Sequence, residues 1–284
     1  MAIRNRLHKL LAAVLNDPVK HIHISVPNVD FGGILNNKVV LIIGGSKGIG
    51  FSIAKKAVIE GARVVLTGRS EKTLQEAVQT LGKASSYLVY DNEDIGNREI
   101  FWDKCYSIHG HLDCVVFNAG ISLHEGDFTK VTVEGFEKQL RINLESSYFL
   151  LQSLLNRNIR LNSALNILIM SSETSVKKND LPYGLTKVAI NSMIGGISRR
   201  VSERGIRING IAPGVTLTSM TSDKTIDDNL YYNSAIGRYI LPEEIANVAL
   251  FLLSDASSCI NGEIIFCDGG NHLKINGFDN SYKI

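Results

Sequence analysis

Five consecutive apolar residues, Val39-Val40-Leu41-Ile42-Ile43, run directly into Gly44-Gly45-Ser46-Lys47-Gly48-Ile49-Gly50. A short β-branched run that ends in glycine reads as a strand buried on both faces. Such strands belong to parallel sheets covered by helices on either side. The glycines supply what a strand-to-helix turn around a phosphate needs. One permits a tight turn, another admits the ligand close to the backbone, and the last lets helix and strand pack closely. The helix that follows offers free N–H groups and the positive end of its dipole to an anion. A glycine-rich string alone is weak evidence, but between a strand and a helix it is good evidence for a nucleotide-binding turn.

The rest of the chain repeats the alternation. Strands are expected at 39–43, 63–67, 87–90, 113–117, 165–170, 206–211 and 263–267. Helices are expected from the glycine turn to about 60, over 71–81, near 97–109, from about 136 to 156, from Pro182 to about 204, and from Pro242 to near 254. Gly61 is placed to end the first of them. The pattern is α/β: a Rossmann-type, doubly wound parallel sheet of about seven strands in a single domain. The 284 residues are enough to bury its core. The catalytic domain is expected over 38–270, after an N-terminal extension, 1–37, and before a C-terminal tail, 271–284.

Charge and cysteine usage exclude several classes. A net charge of +2 gives no support to nucleic-acid binding. Cys105, Cys114, Cys259 and Cys267 form no Cys-x-x-Cys pair, which suits structural thiols in a reducing, cytoplasmic setting. No apolar run approaches the ~18 residues of a membrane span. Arg4-Asn5-Arg6-Leu7-His8-Lys9 before Leu10–Leu15 mimics a signal peptide, but Asn16-Asp17-Pro18 ends the apolar run without a small-residue cleavage site. Ile3, Leu7, Leu10, Leu11 and Val14 instead follow helical spacing, so a short amphipathic helix that packs on the body or a neighbouring subunit is expected, ahead of membrane-surface contact. His21 and His23 alternate as on one side of a strand, but they lack partners and no metal site is expected.

Tyr183 and Lys187 stand four residues apart, and Ser172 lies eleven positions upstream of the tyrosine. Positions i and i+4 share a helix face, and an ammonium beside a phenol favours phenolate, so the pair reads as one acid/base device with a lowered tyrosine pKa. Ser172 can hold a carbonyl oxygen across the gap. The second strand ends in Thr67-Gly68-Arg69, with no acid for ribose hydroxyls. Arg69 offers a planar fork to a phosphate and Lys47 adds a second cation, which favours NADP(H) over NAD(H). Tyr231-Tyr232, in the polar stretch 216–235, reads either as part of a lid over the substrate or as a solvated loop.

Taken in order, these segments resemble the short-chain dehydrogenase/reductase family, in particular its 3-oxoacyl-carrier-protein reductases, over about 38–270. Gly44, Gly48 and Gly50 match the cofactor turn, in which Ser46, Lys47 and Ile49 also stand; Asp91 resembles its adenine-contacting acid; Asn118-Ala119-Gly120 matches the segment after the fourth strand. The resemblance implies catalytic roles for Asn143, Ser172, Tyr183 and Lys187, with Tyr183 and Lys187 also touching the cofactor. Arg207 to Gly214 matches the segment leading to the nicotinamide, so Pro213, Gly214 and Val215 would line it; Thr218 would contact the carboxamide, and Asp268-Gly269-Gly270 resembles the C-terminal signature.

The implied activity is hydride transfer between NADP(H) and a ketone or secondary alcohol. The substrate would be a small molecule or a 3-oxoacyl thioester, and the assembly a homodimer or homotetramer. A non-catalytic NADP-binding regulator or assembly protein of the same fold is the alternative, although it has no physical need for all four catalytic positions. Four departures stand out: Ile43 where threonine is common, Phe117 in place of a first asparagine, the extra N-terminal residues, and a short Ser172–Tyr183 interval with a polar Lys177-Lys178-Asn179-Asp180 loop. The last leaves the choice between Ser171 and Ser172 open.

Overall fold

A computed structural model describes Ile24, residues 30–221, Leu230 and residues 232–273. The expected N-terminal amphipathic helix, His21, His23, Tyr231 and most of the C-terminal tail lie outside the described residues. Among the described residues, seven strands and seven α-helices follow in the order β1 (Val39–Ile43), α1 (Gly48–Ile59), β2 (Arg63–Gly68), α2 (Glu71–Leu81), β3 (Ser85–Val89), α3 (Arg98–His109), β4 (Cys114–Phe117), α4 (Val133–Leu140), α5 (Ser146–Leu161), β5 (Leu165–Met170), α6 (Pro182–Val201), β6 (Ile206–Pro213), α7 (Pro242–Leu253) and β7 (Ile264–Cys267). The strands form one parallel sheet in the order β3-β2-β1-β4-β5-β6-β7. Strand order reverses between β1 and β4, and ligands of open α/β sheets bind at the carboxyl ends of strands at such a crossover.

Alternation along β1 divides the core. Val39, Leu41 and Ile43 pack into one apolar layer with Trp102, Leu150, Leu154 and Ile194, beneath α3, α5 and α6. Val40 and Ile42 pack into the other with Ile53, Ala57, Ile245 and Leu250, beneath α1 and α7. Both faces are therefore covered, as the uninterrupted apolar strands require.

Three boundaries differ from those read in the sequence. β3 begins at Ser85, two residues before the first expected position, because Ser85 and Ser86 pair with Val64 and Val65 on the sheet edge, where polar side chains are tolerated. The helix expected from about 136 begins at Val133, capped by Thr132, whose side chain accepts from the Gly135 N–H at 3.0 Å. It then widens into a π turn over Arg141–Glu145 before α5, which runs on to Leu161 and ends in a left-handed Asn162. β6 extends two residues beyond Ile211, to Pro213.

Part of the N-terminal extension is visible against the body. The buried carboxylate of Glu60, at the end of α1, accepts backbone N–H groups from Phe31 (3.0 Å), Gly33 (2.9 Å) and Ile34 (3.4 Å). Leu35 is fully buried in the second layer. At the opposite edge, Arg207 on β6 donates to the carbonyls of Ser254 (2.8 Å), Ser257 (2.9 Å) and Ile260 (3.2 Å), which holds the end of α7 and the approach to β7. Asn209 adds a bond to the same Ile260 carbonyl, 2.9 Å, and accepts from the Glu263 N–H, 3.1 Å. All four cysteines are free, and Cys267 is only partly buried. No helix among the described residues is long and apolar enough to cross a membrane.

Arg207→Met keeps the stem but removes a charged donor from three carbonyls, and charged hydrogen bonds of this kind are each worth about 1.5–3 kcal/mol. The variant is expected to lose roughly 2–4 kcal/mol of stability in a denaturant titration; an unchanged midpoint would contradict the bracing role.

Candidate active site

The carboxyl ends of β1, β4, β5 and β6 open on a cleft of about 650 Å³. Its near wall is the glycine turn. The N–H groups of Gly44 and Gly45 both bond the Thr67 carbonyl, at 2.9 and 3.1 Å, and the Asn118 side-chain amide donates to the Gly44 carbonyl at 2.6 Å. Gly44 has φ +80, and a Cβ there would lie 2.8 Å from the Ala119 Cα. A Cβ on Gly50 would lie 2.3 Å from the Gly44 carbonyl oxygen. Neither position admits a side chain. Lys47 caps α1 without a side-chain hydrogen bond, and the first turn contains no acid. The free N–H groups and positive dipole end of α1 are thus uncompensated by the protein's own side chains, and they face the cleft beside Ser46, Gly48 and Ile49. This cradle fits a dinucleotide diphosphate.

Arg69 and Lys47 both line the cleft and are exposed, with no side-chain hydrogen bond or ion pair among the described residues. Asp91 stands on the same rim, its carboxylate accepting the Glu93 N–H at 3.0 Å. Ala119 and Gly120 form part of the floor, and Pro213, Gly214, Val215 and Thr218 the far wall. The Ile43 and Phe117 departures do not loosen the turn. Both side chains are buried in the first apolar layer, the Ile43 carbonyl accepts the N–H groups of Asn118 and Ala119, and Asn118 secures the Gly44 carbonyl.

At the deep end of the cleft, β5 runs into Ser172 and α6 begins at Pro182. Ser171 is committed elsewhere, since its hydroxyl donates to Asn191 on α6. Ser172 accepts from the Thr174 N–H (3.2 Å) and hydroxyl (3.1 Å), and it lines the cleft together with Tyr183. The choice left open by the sequence therefore falls on Ser172. Lys187 lies one turn beyond Tyr183, its Nζ 5.5 Å from the phenol ring centroid. It is 5% exposed and donates to the Met170 carbonyl at 2.8 Å. Burial pulls its pKa down to about 8.

The phenol itself departs from expectation. Burial pushes the Tyr183 pKa above the usual tyrosine value; the Ser172 hydrogen bond pulls it back, and the nearby Glu173 carboxylate pushes it further up. The sequence reading of a phenol acidified by its neighbour fails here, because Lys187 is buried too and directs its ammonium at Met170 rather than at the phenol oxygen.

Asn143 sits in the π turn, 2% exposed and behind the cleft floor. Its amide donates to the Ile121 carbonyl (2.9 Å) and accepts the Ile121 N–H (2.8 Å), with a longer contact to the Thr186 hydroxyl (3.4 Å). A Cβ on Gly120 would lie 3.3 Å from the Asn143 oxygen and 3.8 Å from Lys187 Nζ, so these two groups flank the same glycine.

Glu173 was missed. It is buried, lines the cleft, and is held by Lys177 and Asn271. The polar run 173–180 is its only sequence signal, and nothing in that run distinguishes a buried acid from a solvated one. Tyr232 lines the cleft, with its ring 4.8 Å from Tyr239. Among the described residues no cluster of His, Cys, Asp or Glu could hold a metal ion.

A buried ammonium destabilises the folded state wherever it is charged. Because the folded pKa of Lys187 is lowered to about 8, its penalty is full below that pH and fades as pH rises toward the ordinary lysine value. Lys187→Met is therefore expected to melt higher than the unmodified protein at pH 7 in the absence of cofactor, with the advantage shrinking above pH 8. A lower melting temperature at pH 7 would contradict this account.

Residues 44–272 match a family model described as Enoyl-(Acyl carrier protein) reductase. The chain is 33% identical over 250 residues to the 3-oxoacyl-[acyl-carrier-protein] reductase FabG of Chlamydia trachomatis serovar D, covering 84% of this chain and 98% of that one. It is 32% identical to the L-rhamnose 1-dehydrogenase (NADP(+)) of Thermoplasma acidophilum, covering 85% and 97%. Among solved structures it resembles a 3-ketoacyl-(acyl-carrier-protein) reductase from Brucella melitensis complexed with NADH, with a TM-score of 0.76 at 25% identity over 84% of this chain and all of that one.

Proposed function

The chain belongs to the short-chain dehydrogenase/reductase family, whose members act on CH–OH and C=O groups, and we propose that it interconverts a ketone and a secondary alcohol with NADP(H). The observation that carries the proposal is the meeting of Ser172, Tyr183 and Lys187 in the lining of one glycine-walled cleft, with Lys187 Nζ 5.5 Å from the phenol ring. A bound nicotinamide cofactor supplies the hydride, which no side chain can. The glycine turn, with Ser46 and Ile49, and the α1 N-terminus hold its diphosphate; Asp91, Asn118, Ala119 and Gly120 hold the adenosine and ribose side; Pro213, Gly214, Val215 and Thr218 hold the nicotinamide side.

The preference for NADP(H) rests on Arg69 and Lys47, two exposed cations with no partner among the described residues, and on the absence of an acid at the end of β2. The Thermoplasma relative named for NADP(+) agrees with it, while the Brucella structure contains NADH.

Ser172 and Tyr183 bond the carbonyl oxygen, and Tyr183 donates its proton as negative charge develops there. General acid catalysis of this sort contributes ~10²–10⁴-fold. A phenol held neutral by burial suits the acid role. Lys187 opposes the negative charge left on the phenolate, and Asn143 holds the Ile121 backbone and the end of a proton path to solvent. The substrate class we favour is a 3-oxoacyl thioester, on the strength of the Chlamydia and Brucella relatives, with other small ketones open. Exposed Val133 (68%) on α4, Tyr148 (45%) on α5, and Leu185 (43%) and Val188 (41%) on α6 support a homodimer or homotetramer paired through these helices. A cytoplasmic location accords with the free thiols.

Tyr183→Phe is expected to fold, to bind NADPH as before and to lose at least about 100-fold in turnover when NADPH consumption is followed with a panel of 3-oxoacyl thioesters and ketones. Retained turnover would remove Tyr183 from the acid role. Arg69→Ala is expected to raise the NADPH dissociation constant at least roughly tenfold and to leave NADH within about twofold, as loss of a charge-assisted phosphate contact requires. Equal weakening of both cofactors would argue against a 2′-phosphate contact.

A further inference from the structure

α4 buries one side chain fully, and it is a polar one. Gln139 is completely buried, while Val133 and Phe136 of the same helix are exposed. A buried amide is costly unless both of its ends are bonded. Gln139 directs both at the connection that leaves β4. Its oxygen accepts the Leu123 N–H at 3.3 Å, and its nitrogen donates to the Glu125 carboxylate. One turn further on, Asn143 holds the N–H and the carbonyl of Ile121. Two amides four residues apart thus grip residues 121, 123 and 125. α4 also makes room for them, since a Cβ on Gly135 would lie 3.2 Å from Leu123 Cδ1 and 4.0 Å from the Glu125 carboxylate.

The two residues in between, Ser122 and His124, line the cleft. They follow Gly120, which Asn143 and Lys187 flank. Two residues of chain reach at most about 7 Å, so this strip begins beside the reacting groups. His124 has φ +54, a left-handed conformation that histidine adopts more readily than most residues. Its N–H donates to the Ser122 hydroxyl oxygen at 3.3 Å. The Ser122 hydroxyl proton and the His124 ring have no partner among the described residues. Two hydrogen-bonding groups are therefore held in the cleft wall and left for a ligand.

We propose that Gln139 is a positioning residue for the substrate: by stretching 121–125 along α4 it presents Ser122 and His124 to the cleft, and that pair selects ketones carrying a second hydrogen-bond acceptor close to the carbonyl. This rests on the ketone–alcohol reading given above and extends it to the group next to the reacting carbon. Gln139 itself does not line the cleft; it acts through Leu123 and Glu125. A leucine would suit burial at this place better, but it could hold neither the Leu123 N–H nor the Glu125 carboxylate.

The test is steady-state NADPH consumption with a 3-oxoacyl thioester and with a methyl ketone of the same alkyl chain, which lacks the second carbonyl. Gln139→Leu is expected to raise the thioester KM roughly three- to tenfold, as loss of about one hydrogen bond requires, and to leave kcat, the ketone KM and the NADPH dissociation constant within about twofold. Ser122→Ala combined with His124→Gly removes both groups and keeps a residue at ease at positive φ, and it should raise the thioester KM alike. A merely structural Gln139 would lower the melting temperature of Gln139→Leu and leave the thioester KM unmoved, or raise both KM values equally; either result overturns the proposal, as does turnover of the ketone but not the thioester. Should Gln139→Leu not fold, Glu125→Ala, at a half-buried position, removes one end of the clamp and decides: a raised thioester KM upholds the proposal and an unmoved one sinks it. An unmodified protein that turns over neither substrate removes the ketone–alcohol reading and this inference with it, whereas turnover with an unmoved KM removes this inference alone.

Discussion

The contact between Gly50 and the carbonyl of Gly44 leaves no room for a single methyl group, and the rest of the site depends on it. That approach turns the chain from β1 into α1 within a few residues and aims the N-terminus of α1 into the cleft. Asn118 then joins the same carbonyl to the end of β4, so the two strands flanking the crossover are tied at the point where strand order reverses. Sterics and one amide thus place the floor of the cleft. The cations on its rim need only be present, since nothing among the described residues competes for them.

The deep end is built differently. Its groups come from the end of β5 and the first turns of α6, and their properties come from burial more than from one another. Lys187 is held to a β5 carbonyl, and Ser172 to the turn that follows it. Desolvation moves lysine toward neutrality and tyrosine away from phenolate, so both lean to their uncharged forms until something charged enters the cleft.

Much of this was legible in the chain itself, for identifiable reasons. β1 and β5 are continuous apolar runs, and α2 opens on a serine cap and stops before Gly82, so their ends followed from local chemistry. β3 was misplaced because its first two residues are serines whose strand character comes only from pairing with β2. The π turn at Asn143 has no local signal, because its extra residue is stabilised by what Asn143 does to Ile121, far away in sequence. The same reasoning explains the errors at the site. The spacing of Tyr183 and Lys187 showed that they share a helix face, but not that the ammonium would turn toward Met170. Glu173 looked like one more polar residue in a polar loop until the fold brought Asn271 to it.

The tether at Glu60 has one more implication. Its carboxylate grips three main-chain N–H groups of the incoming segment and none of that segment's side chains. Side chains add to that grip: Leu35 fills a hole in the core, and Phe31 and Ile34 pack against the same apolar layer. Gly32 and Gly33, at φ +70 and +77, let the chain curl around the carboxylate, and the single acid at the end of α1 cannot be exchanged without releasing all three bonds at once.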